Sequence, residues 1–337
     1  MGVRDFRFIE QPDPEPGPGQ IRVRVGSVGL CGSDLHYYSE GSIGDILCEY
    51  PMVLGHEPSG VVDKVGTGVT GFSRGDRVAL EPALYCYHCE YCLSGHHNVC
   101  ANLRFLSNPS DPGFLRDFVL LPPHNVLPIP EQMSLDEATI VEPLAVVQHS
   151  MKFAAISTGE TAVVFGAGPI GLLTIASLRI AGAGRIWVFE PVAHRREIAL
   201  QMGATAAFDP STIDPVKQIA SETGKRGADI AIDCAAKGGS INQCLYVVRN
   251  AGRVVYTGIP SEAIIPFEFH VARRKEIPLY NVRRSNHEAG VALQLVAERP
   301  DMFRPMLTHA IAFEEADRAF RTLETRSDGA AKIVIRL

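Results

Sequence analysis

The chain has 337 residues, 46% hydrophobic and 21% charged, with a formal net charge of −6. That length exceeds what one hydrophobic core usually supports, so two domains are expected, and the acidic balance argues against a general nucleic-acid or anionic-membrane surface. No run reaches the ~20 apolar residues of a membrane span, and the first ten residues are mixed and charged with no apolar stretch, so the expected location is the cytoplasm.

Residues 11–126 are rich in Gly and Pro, with short β-branched runs at 21–25 and 60–65 that read as strands of a β-rich domain. Cys31 and His56 lie here, in Gly29-Leu-Cys31-Gly-Ser33-Asp34-Leu-His36 and Gly55-His56-Glu57-Pro58. Taken singly, a Cys reads as core packing and a His as a hydrogen-bonded core residue, and spacing alone does not join them. Next comes Cys86-Tyr-His-Cys89-Glu-Tyr-Cys92, with Cys100 beyond. Half of the eight cysteines fall in this stretch. In a reducing compartment such a cluster reads as a metal site. Four thiolates saturate tetrahedral zinc and leave no open position, so this is expected to be a structural zinc, with His88, His96 and His97 superfluous. A catalytic zinc needs three protein ligands and an open position. Beside Cys31 and His56 the third would be an acid, either Glu57 or Glu142 in Val141-Glu142-Pro143-Leu144.

From about residue 160 to 280 apolar runs alternate with helical patterns. Strands are expected at 161–165, 185–190, 228–233 and 253–257, with helices at 169–181 and 194–202, which is a βαβ series and hence a parallel sheet. The first strand runs straight into Gly166-Ala-Gly168-Pro169-Ile170-Gly171. In that context the glycines serve a tight turn, close approach to a pyrophosphate and close helix–strand packing, with the helix N-terminus facing the phosphates. Glu190 ends the second strand, where an acid binds the adenosine ribose and opposes a 2′-phosphate, so NAD is expected over NADP. Arg195 and Arg196 lie one turn on, where Arg195 could reach the cofactor and both could soften that preference. The tail returns to mixed structure and ends in a strand at 331–337.

Together, Gly29-Leu-Cys-Gly-Ser-Asp-Leu-His-Tyr37, Gly55-His-Glu57, the four-cysteine loop, Glu142-Pro-Leu144 and Gly166-Ala-Gly-Pro-Ile-Gly171 resemble the zinc-dependent medium-chain dehydrogenase/reductase superfamily, in its sorbitol (polyol) dehydrogenase branch. The resemblance implies an α/β protein: a GroES-like β-rich catalytic domain (1–143 and 283–337) interrupted by a Rossmann-fold, doubly wound coenzyme domain (144–282), with the zinc in the cleft between them. It implies Cys31, His56 and either Glu57 or Glu142 at the catalytic zinc, and Asp34 orienting His56. Ser33 and His36 would relay the substrate proton, and Tyr37, Glu142 and Arg284 would grip neighbouring hydroxyls. Ser285 follows Arg284 where the branch often has an aromatic residue. The implied reaction is NAD-linked oxidation of a secondary alcohol of sorbitol, xylitol or a similar polyol to a ketose, in a homotetramer. A threonine or other amino-alcohol dehydrogenase of the same superfamily, and a catalytically silent NAD-binding protein, are the competing readings.

Overall fold

A computed structural model describes residues 2–237, 239–260 and 262–337. The chain separates into two compact units. One comprises the chain up to Ala145 with Asn286–Pro300 and Leu307–Leu337, the other Val146–Ser285 with Asp301–Met306.

The first unit is built on a seven-stranded sheet whose centre is Ile21–Gly29. Ile21, Val23, Val25 and Val28 of that strand are at most 2% exposed. Each such aliphatic side chain removed from water stabilises the fold by roughly 1.5–3 kcal/mol. The strand pairs antiparallel with Glu57–Val65, Phe118–Leu121 and the C-terminal Lys332–Arg336. Phe114, Leu121, Phe320, Ile333 and Ile335 complete the core below it. The expected strands at 21–25, 60–65 and 331–337 thus all lie in this one sheet.

The second unit contains six parallel strands, which we number β1 (Thr161–Phe165), β2 (Arg185–Phe189), β3 (Ala206–Phe208), β4 (Ala228–Asp233), β5 (Val248–Tyr256) and β6 (Leu279–Asn281). Their order is β3-β2-β1-β4-β5-β6, so the winding reverses between β1 and β4, the place where open α/β sheets bind dinucleotides. Helices α1 (Pro169–Ile180) and α2 (Ala193–Gln201) follow β1 and β2. Val163, Val164, Ile186, Val188, Ile230 and Ile232 are fully buried, because helices cover both faces of a parallel sheet. The edge strands β3 and β6 are only three residues long and carry too little pattern to be anticipated.

One boundary differs from expectation. Asp301–Met306 belongs to the second unit, so the tail from residue 283 is not one catalytic piece. Phe303 and Met306 are fully buried, and the Arg304–Met306 turn packs on α2. Two large apolar side chains are enough to draw that turn away from its neighbours in sequence.

Candidate active site

Sheet register assembles the first cluster. Gly29, the last residue of the central strand, lies directly opposite Glu57 in the antiparallel pairing. Cys31 follows two residues on, as the N-cap of helix Gly32–Ser39, and His56 immediately precedes Glu57. The ligand atoms of Cys31, His56 and Glu57 consequently all lie within 4.8 Å of one another. A Cβ at position 29 would stand 2.3 Å from Glu57 Oε2, so only glycine leaves room for that carboxylate. Gly55 has a φ of +89° and donates its N–H to Asp34 Oδ1 at 3.0 Å, which turns the chain so that His56 faces inward.

Asp34 is the hub of this arrangement. Its side chain is 1% exposed, and it accepts from His56 Nδ1 (3.2 Å), the N–H of Cys31 (3.1 Å) and the Ser107 hydroxyl (3.1 Å). Burial alone would raise this carboxyl, but the facing His56 and the backbone donors hold it below the ordinary range. With Nδ1 fixed by Asp34, Nε2 of His56 is left to face a metal. Ser33 Oγ lies 3.5 Å from that Nε2. His36, one turn along the same helix, pairs with Glu40 at 3.0 Å. Tyr37 is 4% exposed.

Two residues that sequence reasoning missed complete the surroundings. Lys332, fully buried, forms an ion pair with Glu57 Oε2 and donates to the Leu30 carbonyl at 3.1 Å. A lysine between the Ala330-Ala331 pair and the apolar run Ile333-Val334-Ile335 was the available signal. Ser107, which donates to Asp34, carried none. Glu142, half-buried on the first turn of helix Val141–Ala154, is not a member of the trio. Arg284 falls in the second unit, in a half-buried turn with φ +53°.

The second cluster is contiguous. The sulfurs of Cys86, Cys89, Cys92 and Cys100 all lie within 4.8 Å of one another, and among the described residues these two clusters are the only such groups of three or more ligand side chains. Three of the S···S separations are 3.5, 3.9 and 4.0 Å. A tetrahedron of sulfurs 2.3 Å from zinc has edges of about 3.8 Å, so the four fit that ion. The backbone N–H of His88 and the side chain of Asn102 draw the Cys86 thiol down to about 5, whereas burial and then its neighbouring thiols push Cys92 up to about 12. Four thiols this close cannot all ionise without a cation among them.

The third site lies at the end of β1. Gly166 has φ +89°, and a Cβ at Gly171 would stand 2.0 Å from the Gly166 carbonyl oxygen, so both positions demand glycine. Gly168 is the N-cap of α1 with no side-chain cap, and Pro169 and Ile170 begin the helix. A Cβ at Gly168 would meet nothing nearer than Arg195 Nη1 at 4.0 Å. That open space above free helical N–H groups is where a pyrophosphate fits. Glu190, 4% exposed, accepts from the N–H of Ala167 at 2.7 Å and of Val192 at 3.0 Å. Arg196 is tied to the carbonyls of Glu190 and Pro191 at 2.7 and 2.8 Å, while Arg195, 8% exposed, lies beside the glycine loop.

Residues 17–131 match the family model for the alcohol dehydrogenase GroES-like domain, and residues 169–298 that for the zinc-binding dehydrogenase domain. The sequence is 36% identical to D-xylulose reductase A of Aspergillus niger, over 99% of this chain and 94% of that protein. Among solved structures, an alcohol dehydrogenase of Escherichia coli CFT073 complexed with NADH superposes with a TM-score of 0.91 at 28% identity, covering 99% of this chain and 97% of the other. An NADP-bound structure from Sinorhizobium meliloti 1021 superposes with a TM-score of 0.88 at 29% identity, covering 96% and 94%.

Proposed function

This chain belongs to the zinc-dependent medium-chain dehydrogenase/reductase superfamily, in its polyol dehydrogenase branch, and from that premise we propose that it oxidises a secondary alcohol of a vicinal polyol such as xylitol or sorbitol to the ketose. The reading rests on one observation above all: a thiol, an imidazole and a carboxylate brought together from two strand ends, in a chain that also carries a separate four-thiol site. Cys31, His56 and Glu57 would hold the catalytic zinc, and Cys86, Cys89, Cys92 and Cys100 the structural one. Geometry favours Glu57 over Glu142 as the third ligand, which leaves Glu142 to hold water or substrate.

A bound zinc would supply Lewis-acid activation of a hydroxyl that does not ionise at neutral pH, and a bound nicotinamide would supply the hydride acceptor. The remaining work falls to the protein. Asp34 fixes the His56 tautomer through Nδ1. Ser33 Oγ, beside His56 Nε2, would accept the proton of the substrate hydroxyl as it releases its own, which His36, one turn along the helix and paired with Glu40, would pass toward solvent. Tyr37, Glu142 and Arg284 would engage neighbouring hydroxyls. A buried polar group left unpaired costs on the order of 1–3 kcal/mol, so a simple alkanol should react poorly. The D-xylulose reductase relative supports a five-carbon polyol–ketose pair.

NAD is the proposed partner in preference to NADP. The Glu190 carboxylate, pinned by two backbone N–H groups at the end of β2, puts negative charge where a 2′-phosphate would lie, and Arg196 is committed to carbonyls. Solved relatives hold either cofactor, so the preference rests on this chain's own residues. No helix among the described residues is long and apolar enough to cross a membrane, and we place the enzyme in the cytoplasm as a homotetramer.

The test is a panel of four- to six-carbon polyols with NAD and with NADP, set against 2-butanol. Xylitol or a close relative with NAD should give the highest kcat/KM, and Arg284→Ala should lower it for the polyol much more than for 2-butanol. A preference for 2-butanol in the wild-type enzyme overturns the polyol reading.

A further inference from the structure

The four-cysteine lobe does more than enclose a metal, because one of its walls grips a distant stretch of chain. Asn286 uses both ends of its carboxamide there. Oδ1 accepts the N–H of His97 at 3.0 Å, and Nδ2 donates to the Gly95 carbonyl at 2.8 Å. Both partners lie between Cys92 and Cys100, some 190 positions away in sequence. The next residue docks as well, with the His287 ring 4.3 Å from that of His97 and 5.2 Å from that of Tyr85. Glu288, 2% exposed, accepts the backbone N–H of Asn286.

The clamped stretch is an unusual turn. Arg284 and His287 have φ values of +53° and +68°, a region that non-glycine residues occupy only when their surroundings over-determine them. Relaxation of Arg284 to an ordinary φ would swing its guanidinium to a different place. The residue proposed to grip the polyol therefore lies two positions before Asn286, in a turn whose far end is fastened to the lobe.

We propose that the four-cysteine lobe is the base against which the Arg284 turn is set, and that Asn286 is the positioning residue linking the two. This rests on the reading of Arg284 as a polyol contact. A metal in the lobe would then act on substrate recognition at a distance, by keeping residues 95–97 rigid enough to hold Asn286.

A double-mutant cycle with xylitol and 2-butanol as substrates tests it, using Asn286→Ala, Arg284→Ala and the pair. Asn286→Ala should raise KM for xylitol about tenfold with kcat nearly unchanged, and leave 2-butanol within about twofold. In the Arg284→Ala background the same substitution should add less than about twofold, since its target is gone. Asn286→Asp keeps the acceptor for the His97 N–H and loses the donor to Gly95, so it should fall between. Amide exchange should quicken at residues 283–288 as well as at 94–97. Full additivity, equal losses on both substrates, or faster exchange at 94–97 alone overturns the positioning role while leaving Arg284 in place. Unchanged xylitol kinetics in Arg284→Ala overturns the polyol-contact reading and this proposal with it.

Discussion

The two ligand clusters of the first unit are opposites in construction. The four-cysteine lobe draws all its donors from fifteen consecutive residues, positions 86 to 100, and its sulfurs already lie within 4.8 Å of one another. The trio of Cys31, His56 and Glu57 draws on two strand ends and a helix cap, uses three kinds of donor, and shares its carboxylate with the buried ammonium of Lys332. The first arrangement is closed and local, the second open and dependent on the whole sheet. A site that must admit substrate needs the second design, in which surrounding protein holds each ligand in place.

The widest separation between them should come from removing one thiol of each. Cys31→Ser should lower kcat/KM for the polyol by about 10³-fold or more, since activation of the hydroxyl is worth several kcal/mol. Zinc content should fall from two to one per chain with little change in melting temperature. Cys92→Ser should do the reverse, costing stability first and, in the protein that stays folded, raising KM for the polyol through a looser hold on Asn286 while kcat stays near wild type. Metal analysis and calorimetry on the two variants read this directly, and equal losses of stability would erase the distinction.

A smaller effect sits at the base of the lobe. Burial, with a further push from Glu288, raises Glu81 to about 7 against the Tyr85 hydroxyl that donates to it. A carboxyl raised in the folded state binds its proton more tightly there than in the unfolded chain. Its contribution therefore erodes as pH climbs from about 4.5 toward 7 and is fully lost above, by about 3 kcal/mol. Urea unfolding at pH 5 and pH 8 should show that Glu81→Gln loses less stability across the interval than wild type. Parallel behaviour of the two proteins would mean Glu81 is ionised throughout.

At the trio the corresponding support is Asp34. Asp34→Ala frees the His56 ring and leaves the N–H groups of Cys31 and Gly55 without their acceptor, so affinity for the catalytic zinc should drop by about 10- to 100-fold in a chelator competition. The lobe zinc should be retained with wild-type affinity.

The same contrast governs how much could be read from sequence. The lobe and the glycine loop were legible because their donors and turns are contiguous and their spacing carries the chemistry. Strands β1, β2 and β4 and helices α1 and α2 were legible because long apolar periods survive any tertiary context. The trio was not joined by spacing, since the Gly29–Glu57 pairing that assembles it is a matter of strand register. Register also hid Lys332 beneath Glu57, which a resemblance in motifs does not reveal. Asn286 was invisible for a related reason: an amide in a turn shows its partners only after two stretches some 190 residues apart have met. The Asp301–Met306 excursion turned on two buried side chains rather than on any pattern.

The smallest expected effect is the sharpest check on the lobe as a closed site. Three histidines, His88, His96 and His97, lie among its cysteines, and each could in principle replace a thiolate. His88 instead turns its Nδ1 to the Cys86 carbonyl at 2.6 Å, and His96 pairs with the Ser94 hydroxyl at 3.2 Å. Neither belongs to the set of donors within reach of a common ion. His88 is exposed, so its lost hydrogen bond is largely replaced by water and costs at most about 1 kcal/mol. His88→Ala should consequently keep two zinc ions per chain and a kcat/KM within about twofold of wild type. The loss of one zinc would show that four thiolates do not suffice, and the division between a saturated lobe and an open trio would have to be redrawn.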